Sequence, residues 1–366
     1  IAVARRDQGF DGCAEQRASR GLVVMLAADL GGAFSLPGID AKSLRSVAAS
    51  TLSELPAYQC SDGSFQSWKS ASACNGSPEL TAYVLSVLQR GQSLGYDVDA
   101  RALTRGYESL ETRLKEPPVA NESWRVFDNA WRAFATLVLS RGGRNVDASL
   151  TRLWEARDRL PVVSMAHLLD TMVAKGETGA RRNEIQRRLD NAILPEGRSA
   201  HIEELTDPSL AWFWSSNVRS TAVALGALSR AGTEPRLAAG MVRYLLDTRV
   251  TLRGAPTGRW RNTHENAAVL DALVSYYRKF ESVTPDFVAT VAMPPRADIK
   301  TPFTGRSTTA TTHVVPMEEL ARTGRDALDL TFSKTGAGTL FYGARLRYQL
   351  PPDPTTPALD QGFTVA

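Results

Sequence analysis

From residue 13 to about 282 the apolar residues recur at i, i+3 and i+4, broken only by short Gly and Pro stretches. The pattern predicts helices near 13–30, 40–55, 78–94, 99–115, 124–141, 146–158, 162–175, 179–192, 216–231, 235–249 and 264–281. They are unequal. Leu80–Leu88, Trp131–Leu139, Val218–Leu228 and Ala267–Tyr276 are strongly apolar, whereas Arg101–Lys115 and Arg181–Asn191 are far more charged. An inner ring of helices surrounded by an outer ring produces that contrast. A theme of aromatic loop, polar cap and small-residue helix also recurs at uneven spacing. It runs from Asp62-Gly63-Ser64-Phe65 with Trp68 into Glu79-Leu80-Thr81-Ala82, from Trp212-Phe213-Trp214 into Arg219-Ser220-Thr221-Ala222, and from Gly258-Arg259-Trp260 into His264-Glu265-Asn266-Ala267. Paired helices closing on themselves fit this better than an open solenoid. The expected fold is mostly α, an (α/α)6 toroid. Eleven helices are legible, and the stretch Ile193 to Leu210 holds either a hairpin or the missing turn.

Beyond Val283 the period changes. Phe287–Met293 reads as a buried strand, and Ala327–Phe332 and Leu340–Tyr348 alternate with period two, around a Thr/Ser/Gly-rich linker from Thr301 to Ala310. A small β region is expected over 284–352, with too few strands to close a sandwich alone. The opening Ile1-Ala2-Val3-Ala4 and the closing Gly362-Phe363-Thr364-Val365-Ala366 are both strand-like, and both ends read as cut from something longer.

The chemistry sits at the start of the first helix, in Gly12-Cys13-Ala14-Glu15-Gln16. A cysteine and a glutamine at i and i+3 lie on one face of a helical turn. The Cys13 sulfur can therefore attack the Gln16 side-chain carbonyl, expel ammonia and close an internal thioester, a stored electrophile. The alternative is an ordinary helix start that happens to contain Cys and Gln. With Cys13 set aside, Cys60 and Cys74 remain, either as a disulfide across a polar loop, which requires an oxidising compartment, or as two free thiols.

Composition excludes more than it assigns. Hydrophobic residues are 43% and charged residues 22%, and the net charge is only +4. The basic residues are spread along the helices instead of forming a stripe, so nucleic acid is not an expected partner. Only seven of the 43 basic residues are lysines, which an arginine-rich, GC-biased genome explains more simply than avoidance of an amine-reactive ester. No apolar run approaches the ~20 residues of a membrane span. Neither CxxC nor HxxxH spacing occurs, so no metal and no cofactor is expected.

Gly12-Cys13-Ala14-Glu15-Gln16 matches the GCxEQ signature of the alpha-2-macroglobulin and complement family. The chain resembles the thioester domain of a bacterial alpha-2-macroglobulin-like protein together with the returning half of its CUB domain. Gln59–Phe65, Leu80-Thr81-Ala82-Tyr83, Gly95-Tyr96-Asp97-Val98 and Trp260–Ala267 extend the likeness. The resemblance implies residues 1–12 as a strand or linker from CUB, 13–282 as the thioester toroid, 284–352 as returning CUB strands, and 353–366 as a linker into a further macroglobulin-like domain. It implies a single-use protease inhibitor, not an enzyme. A protease cleaves a bait region elsewhere, the body changes shape, and the exposed thioester between Cys13 and Gln16, supported by Gly12 and Glu15, captures a lysine amine.

The same resemblance implies target proteases, the remaining macroglobulin-like domains and cell-wall synthesis proteins as partners, and a lipid-anchored parent in the periplasm. Storage of the ester demands an apolar, aromatic pocket, for which Phe65, Trp68, Trp212, Phe213, Trp214 and Trp260 are candidates. Bacterial relatives carry a Tyr-Pro-Tyr run before the motif. Here the stretch is Gly9-Phe10-Asp11, which leaves Phe10 as the shield. No histidine follows the Asp62–Phe65 loop, and His264 reads as a cap or core residue, so direct attack by amines is expected over transfer to hydroxyls. The rival for a toroid is a carbohydrate-active enzyme built on Asp62 with Glu79, or on Glu203 with Asp207; these read better as turn and cap residues. A third reading is a structural domain whose thioester never forms.

Overall fold

The computed structural model describes residues 12–33, 40–69, 74–253, 255–307, 309–322 and 327–347. Phe10, the expected strand before Gly12 and the expected linker 353–366 lie outside the described residues. The chain divides into two compact units, Ile1–Phe280 and Glu281–Ala366.

Among its described residues the first unit carries eleven α-helices: α1 (Ala14–Ala33), α2 (Ala41–Glu54), α3 (Pro78–Ser93), α4 (Ala100–Lys115), α5 (Arg125–Arg141), α6 (Asp147–Glu155), α7 (Val162–Ala174), α8 (Ala180–Asn191), α9 (Asn217–Ala231), α10 (Pro235–Asp247) and α11 (Thr263–Tyr276). Their starts are written in the sequence. Asp99 accepts from the Arg101 and Ala102 amides, Ser216 from Arg219 and Asn262 from Glu265, each satisfying donors that the first helical turn leaves orphaned.

The odd-numbered helices form a ring. α1 packs on α3, α3 on α5, α5 on α7, α7 on α9, α9 on α11, and α11 returns to α1. Each even-numbered helix follows one ring helix and packs on it. Small residues allow their close approach, as in Ala222, Ala224, Gly226 and Ala227 of α9. Outer α8 buries only Ile185 and Leu189, an i, i+4 pair, and leaves its arginine-rich remainder outside the core. The architecture is the expected helical toroid, with six inner and five outer helices among the described residues. Between α8 and α9 the chain forms an antiparallel hairpin, β1 (Ile193–Glu196) and β2 (Ser199–Ile202). A shorter pair, β3 (Thr251–Leu252) and β4 (Ala255–Pro256), precedes α11.

The second unit is a three-stranded antiparallel sheet in the order β6 (Ile299–Thr304), β5 (Asp286–Ala292), β7 (Thr331–Ala337), with a short helix α12 (Met317–Ala321). Phe287 and Ala289 are its buried face, and Phe287 stacks on Phe303 at 5.2 Å. Two expectations need correction. The strand expected over Ala327–Phe332 begins only at Thr331, and Leu340–Arg347 is not strand but exposed chain. Period-two alternation marks a chain able to form a half-buried strand; it cannot supply the neighbour whose ladder would hold it. Thr301–Thr304, expected as linker, belongs to β6, where its Thr and Phe residues suit a pleated surface.

Candidate functional site

Cys13 caps α1: its carbonyl accepts the first helical bond, from the Arg17 amide at 3.0 Å. The turn before it is tied from both sides. Tyr58 donates its phenol proton to the Gly12 carbonyl at 2.9 Å, and the Ala14 amide donates to the Ser67 carbonyl at 2.9 Å. Cys13 is a partly buried thiol, and Gln16 is exposed on the next turn position. The Gln16 amide folds back toward the helix start: a Cβ on residue 12 would lie 3.2 Å from its Oε1. Glycine at 12 therefore leaves room for the Gln16 carbonyl at the helix start.

The loop that supplies Ser67 is held by its own sequence. Asp62 accepts from both the amide and the hydroxyl of Ser64, at 2.9 and 2.6 Å, making the turn. Gly63 occupies φ +84°, and the Cys60 amide bonds the Ser64 carbonyl at 2.8 Å. The Phe65 amide is taken by the Thr81 hydroxyl at the start of α3. Arg105 of α4 donates to the Cys60 carbonyl at 2.6 Å. Cys60 and Cys74 are joined as a disulfide across this loop, with Cα atoms 5.6 Å apart.

Glu15 points inward from the motif. It accepts from the Ser19 hydroxyl at 2.6 Å and from Thr263, the first residue of α11, at 3.1 Å. Because Ser19 spends its proton on Glu15, the 2.6 Å contact between Ser19 and Tyr83 is a bond donated by the phenol. Burial raises the Glu15 carboxyl above its ordinary range, against the lowering effect of the Ser19 and Thr263 hydroxyls. Tyr83 stacks on His264 at 4.3 Å, and Trp214 covers the other neighbour, 4.7 Å from His264 and 5.9 Å from Tyr83. Trp214 adopts a left-handed backbone, φ 53°, ψ 32°, at the end of the 3₁₀ turn Pro208–Phe213. That uncommon geometry for a bulky residue turns its indole onto the histidine.

His264 is buried and held neutral, first by desolvation and then by the Arg219 charge. Its Nδ1 accepts from Arg219 Nε at 3.2 Å, which leaves the ring proton on Nε2. An imidazole so arranged has no free lone pair with which to attack an ester.

Of the expected aromatic lining among the described residues, Trp214 alone joins the motif through this stack. Trp260 is a core residue: it is 9% exposed, and its indole donates to the Leu245 carbonyl at 2.7 Å. Trp212 is 66% exposed and packs beside Trp124 instead. Phe65 is fully buried and Trp68 stands exposed. The burial of Trp260 follows from its place ahead of α11, where the Asn266 side chain accepts its amide and returns a bond to its carbonyl. Ser19 escaped sequence reading, because a hydroxyl four residues along α1 carries no local signal; Thr263 lies in the Trp260–Ala267 likeness, but its pairing with Glu15 is a long-range contact that no spacing encodes.

The carboxylates of the rival reading have local surroundings of their own: Glu79, raised by burial, bonds the Ser77 side chain at the start of α3. Asp62 makes its turn, and Asp207 accepts from the amide and hydroxyl of Ser209. Glu203 lies near His201 on an exposed edge. No cluster of metal-binding side chains occurs among the described residues.

No protein-family model matches the chain. An alpha-2-macroglobulin homolog of Nostoc sp. is 28% identical across 81% of this chain, and the alpha-2-macroglobulin of Escherichia coli K12 is 28% identical across 59% of it. The chain spans 15% of the length of each. Among solved structures, E. coli alpha-2-macroglobulin from domain MG7 to the C-terminus aligns with a TM-score of 0.58 and 21% identity, covering 80% of this chain and 43% of that one. Salmonella alpha-2-macroglobulin reacted with methylamine aligns at 0.60 and 22%, covering 90% and 19%. At these identities the structural likeness is one of fold. In sequence and in fold the chain is similar to bacterial alpha-2-macroglobulins.

Proposed function

We propose that this chain is the thioester-bearing part of a protease-trapping inhibitor, acting from a periplasmic or secreted parent and not as an enzyme. The observation that carries the reading is the motif turn itself. Gly12-Cys13-Ala14-Glu15-Gln16 begins the first ring helix, with the Gln16 carbonyl folded back toward Gly12, the residue that precedes Cys13. In the formation step Cys13 Sγ bonds to the Gln16 side-chain carbon and ammonia leaves. In the capture step a deprotonated lysine amine of a target protease attacks that carbon. An amide forms, the carbon–sulfur bond breaks, and the thiol regains a proton.

Amines are the expected nucleophiles. A lysine amine is a minority species near neutral pH, its ordinary pKa being about 10.4, but it attacks an acyl carbon far better than an unassisted alcohol. The His264 tautomer supports direct aminolysis, since its Nδ1 lone pair is engaged by Arg219. The β unit fits the returning strands of a CUB domain completed by chain beyond these residues, and other macroglobulin-like domains of the same parent are the natural neighbours. That a Salmonella relative was reacted with methylamine supplies the probe.

Intact mass of freshly prepared protein should show the loss of one ammonia, and methylamine should then add to Gln16 and free the Cys13 thiol. Cys13→Ala should retain the fold and take up no methylamine. A free Cys13 beside an unmodified Gln16 in mildly handled protein refutes the reading. Labelled glycerol taken up as well as methylamine refutes direct aminolysis.

A further inference from the structure

The six inner helices enclose a cavity of about 790 Å³ on the toroid axis. Its floor is buried and includes Tyr83, Arg219 and His264, while Gln92, Ser93 and Thr104, all exposed, mark where it reaches the surface. Residues 12–16 are not among its lining, so the cavity is separate from the motif turn although Tyr83 and His264 border it.

The charges around it do not balance. Four arginines line it, Arg90, Arg141, Arg219 and Arg230, against two carboxylates, Asp170 and Asp271. Asp170 is bound by Arg141 at 2.6 Å and by Arg230 at 2.8 and 2.7 Å. Asp271 is 3.0 Å from Arg90. Arg219 forms no ion pair among the described residues, though it is only 2% exposed. The nearby Glu204 is committed elsewhere, accepting from the Val162 and Val163 amides and the Ser220 hydroxyl. Arg219 is steadied by the face of Phe213, 4.7 Å from its guanidinium carbon, and by its bond to His264.

Unused donors accompany that surplus charge. Arg219 Nη1 and His264 Nε2 are buried without a hydrogen-bond partner, and the second is a donor because Nδ1 accepts from Arg219. His167, also lining the cavity and 4% exposed, leaves Nδ1 unpartnered. A buried guanidinium and a buried imidazole N–H without acceptors are strongly disfavoured unless something supplies oxygens. We infer that the axial cavity is a binding site for a small oxyanion, held on Arg219 and the His264 Nε2–H with Arg230 and Arg141 nearer the mouth. Phosphate and a short dicarboxylate share the required chemistry, planar or tetrahedral oxygens carrying one to two negative charges.

The test is isothermal titration of the whole chain with inorganic phosphate and, separately, with succinate, each against sodium chloride of matched ionic strength. At least one should bind saturably, one per chain, and the arm that does so identifies the anion class. Arg219→Met should weaken that binding by about tenfold or more, the worth of one charge-assisted contact. Ala268→Phe, which puts a ring into the cavity without removing a charged group, should weaken it as well and decides the matter if Arg219→Met fails to fold. Absence of saturable binding by either anion overturns the site, as does binding that Ala268→Phe leaves unchanged.

Discussion

Replacing Gly63 by alanine measures how firmly the motif turn is held. Gly63 lies at φ +84°, and an added Cβ would come 2.1 Å from the Arg105 carbonyl oxygen, a backbone atom inside α4. The left-handed conformation alone costs a non-glycine residue about 1–2 kcal/mol. The overlap adds the cost of an overpacked site, about 1–3 kcal/mol. The loop cannot easily retreat, since Gln59 donates to the Gly63 and Ala102 carbonyls and Arg105 donates to that of Cys60. Gly143 is the control: its φ is +73° and nothing lies within 4 Å of an added Cβ, so only the conformational part applies. In urea denaturation Gly63→Ala should therefore cost about 2–5 kcal/mol and Gly143→Ala about 1–2. Methylamine uptake should also fall in the first variant, because displacement of the loop carries Ser67 away from the Ala14 amide. Equal destabilisation by the two substitutions would show that α4 yields freely, and the account of the turn as a clamped structure would fail.

Cys60→Ser with Cys74→Ser opens a crosslink spanning 14 residues and should cost about 3 kcal/mol on the loop-entropy model; a denaturation midpoint unchanged from the oxidised parent would contradict it. Asp170→Asn leaves Arg141 and Arg230 without their shared carboxylate and should cost about 3–5 kcal/mol by the same assay, a loss under 1 kcal/mol being inconsistent with a buried pair. Burial raises the Asp170 carboxyl while the two arginines lower it further, to about 2, so its contribution is present above the unfolded value near 3.9 and fades as pH falls toward 2. Glu15 has the opposite sign: its folded carboxyl is raised, so the parent is favoured below the ordinary carboxylate range and loses that advantage as pH rises and Glu15 ionises. Glu15→Gln should accordingly gain stability relative to the parent between pH 4 and pH 7, and a difference that is flat with pH would place Glu15 outside the desolvated network.

The toroid was legible because its signal is local and repeated. Apolar periodicity marks eleven helices, and the charge contrast between Leu80–Leu88 and Arg101–Lys115 separates inner from outer. The motif was legible for the same reason, all five of its residues lying in one turn. Its support was not. The Glu15–Ser19–Tyr83 chain, the Thr263 hydroxyl and the left-handed Trp214 depend on which helices become neighbours, and no spacing encodes that. Aromatic content misled at Trp260, since an indole near a functional segment serves a core as readily as a shield. In the β unit the alternation of Leu340–Tyr348 described a capacity for pairing that the described residues do not realise.

The ring closes between its first helix and its last. Glu15 on α1 takes its hydroxyl partner from Thr263 on α11, 248 residues later. During synthesis at roughly 5–20 residues per second, that interval is about 10–50 s. The motif turn leaves the ribosome before α11 and waits through that interval without the wall that α11 provides. Long-range closure of this kind is slow to form, because loop entropy is lost before the contact repays it. The order of synthesis thus acts as a timer. The electrostatic surroundings of Cys13 and Gln16 are complete only when translation has finished the toroid, and an acyl group formed sooner would meet water unprotected.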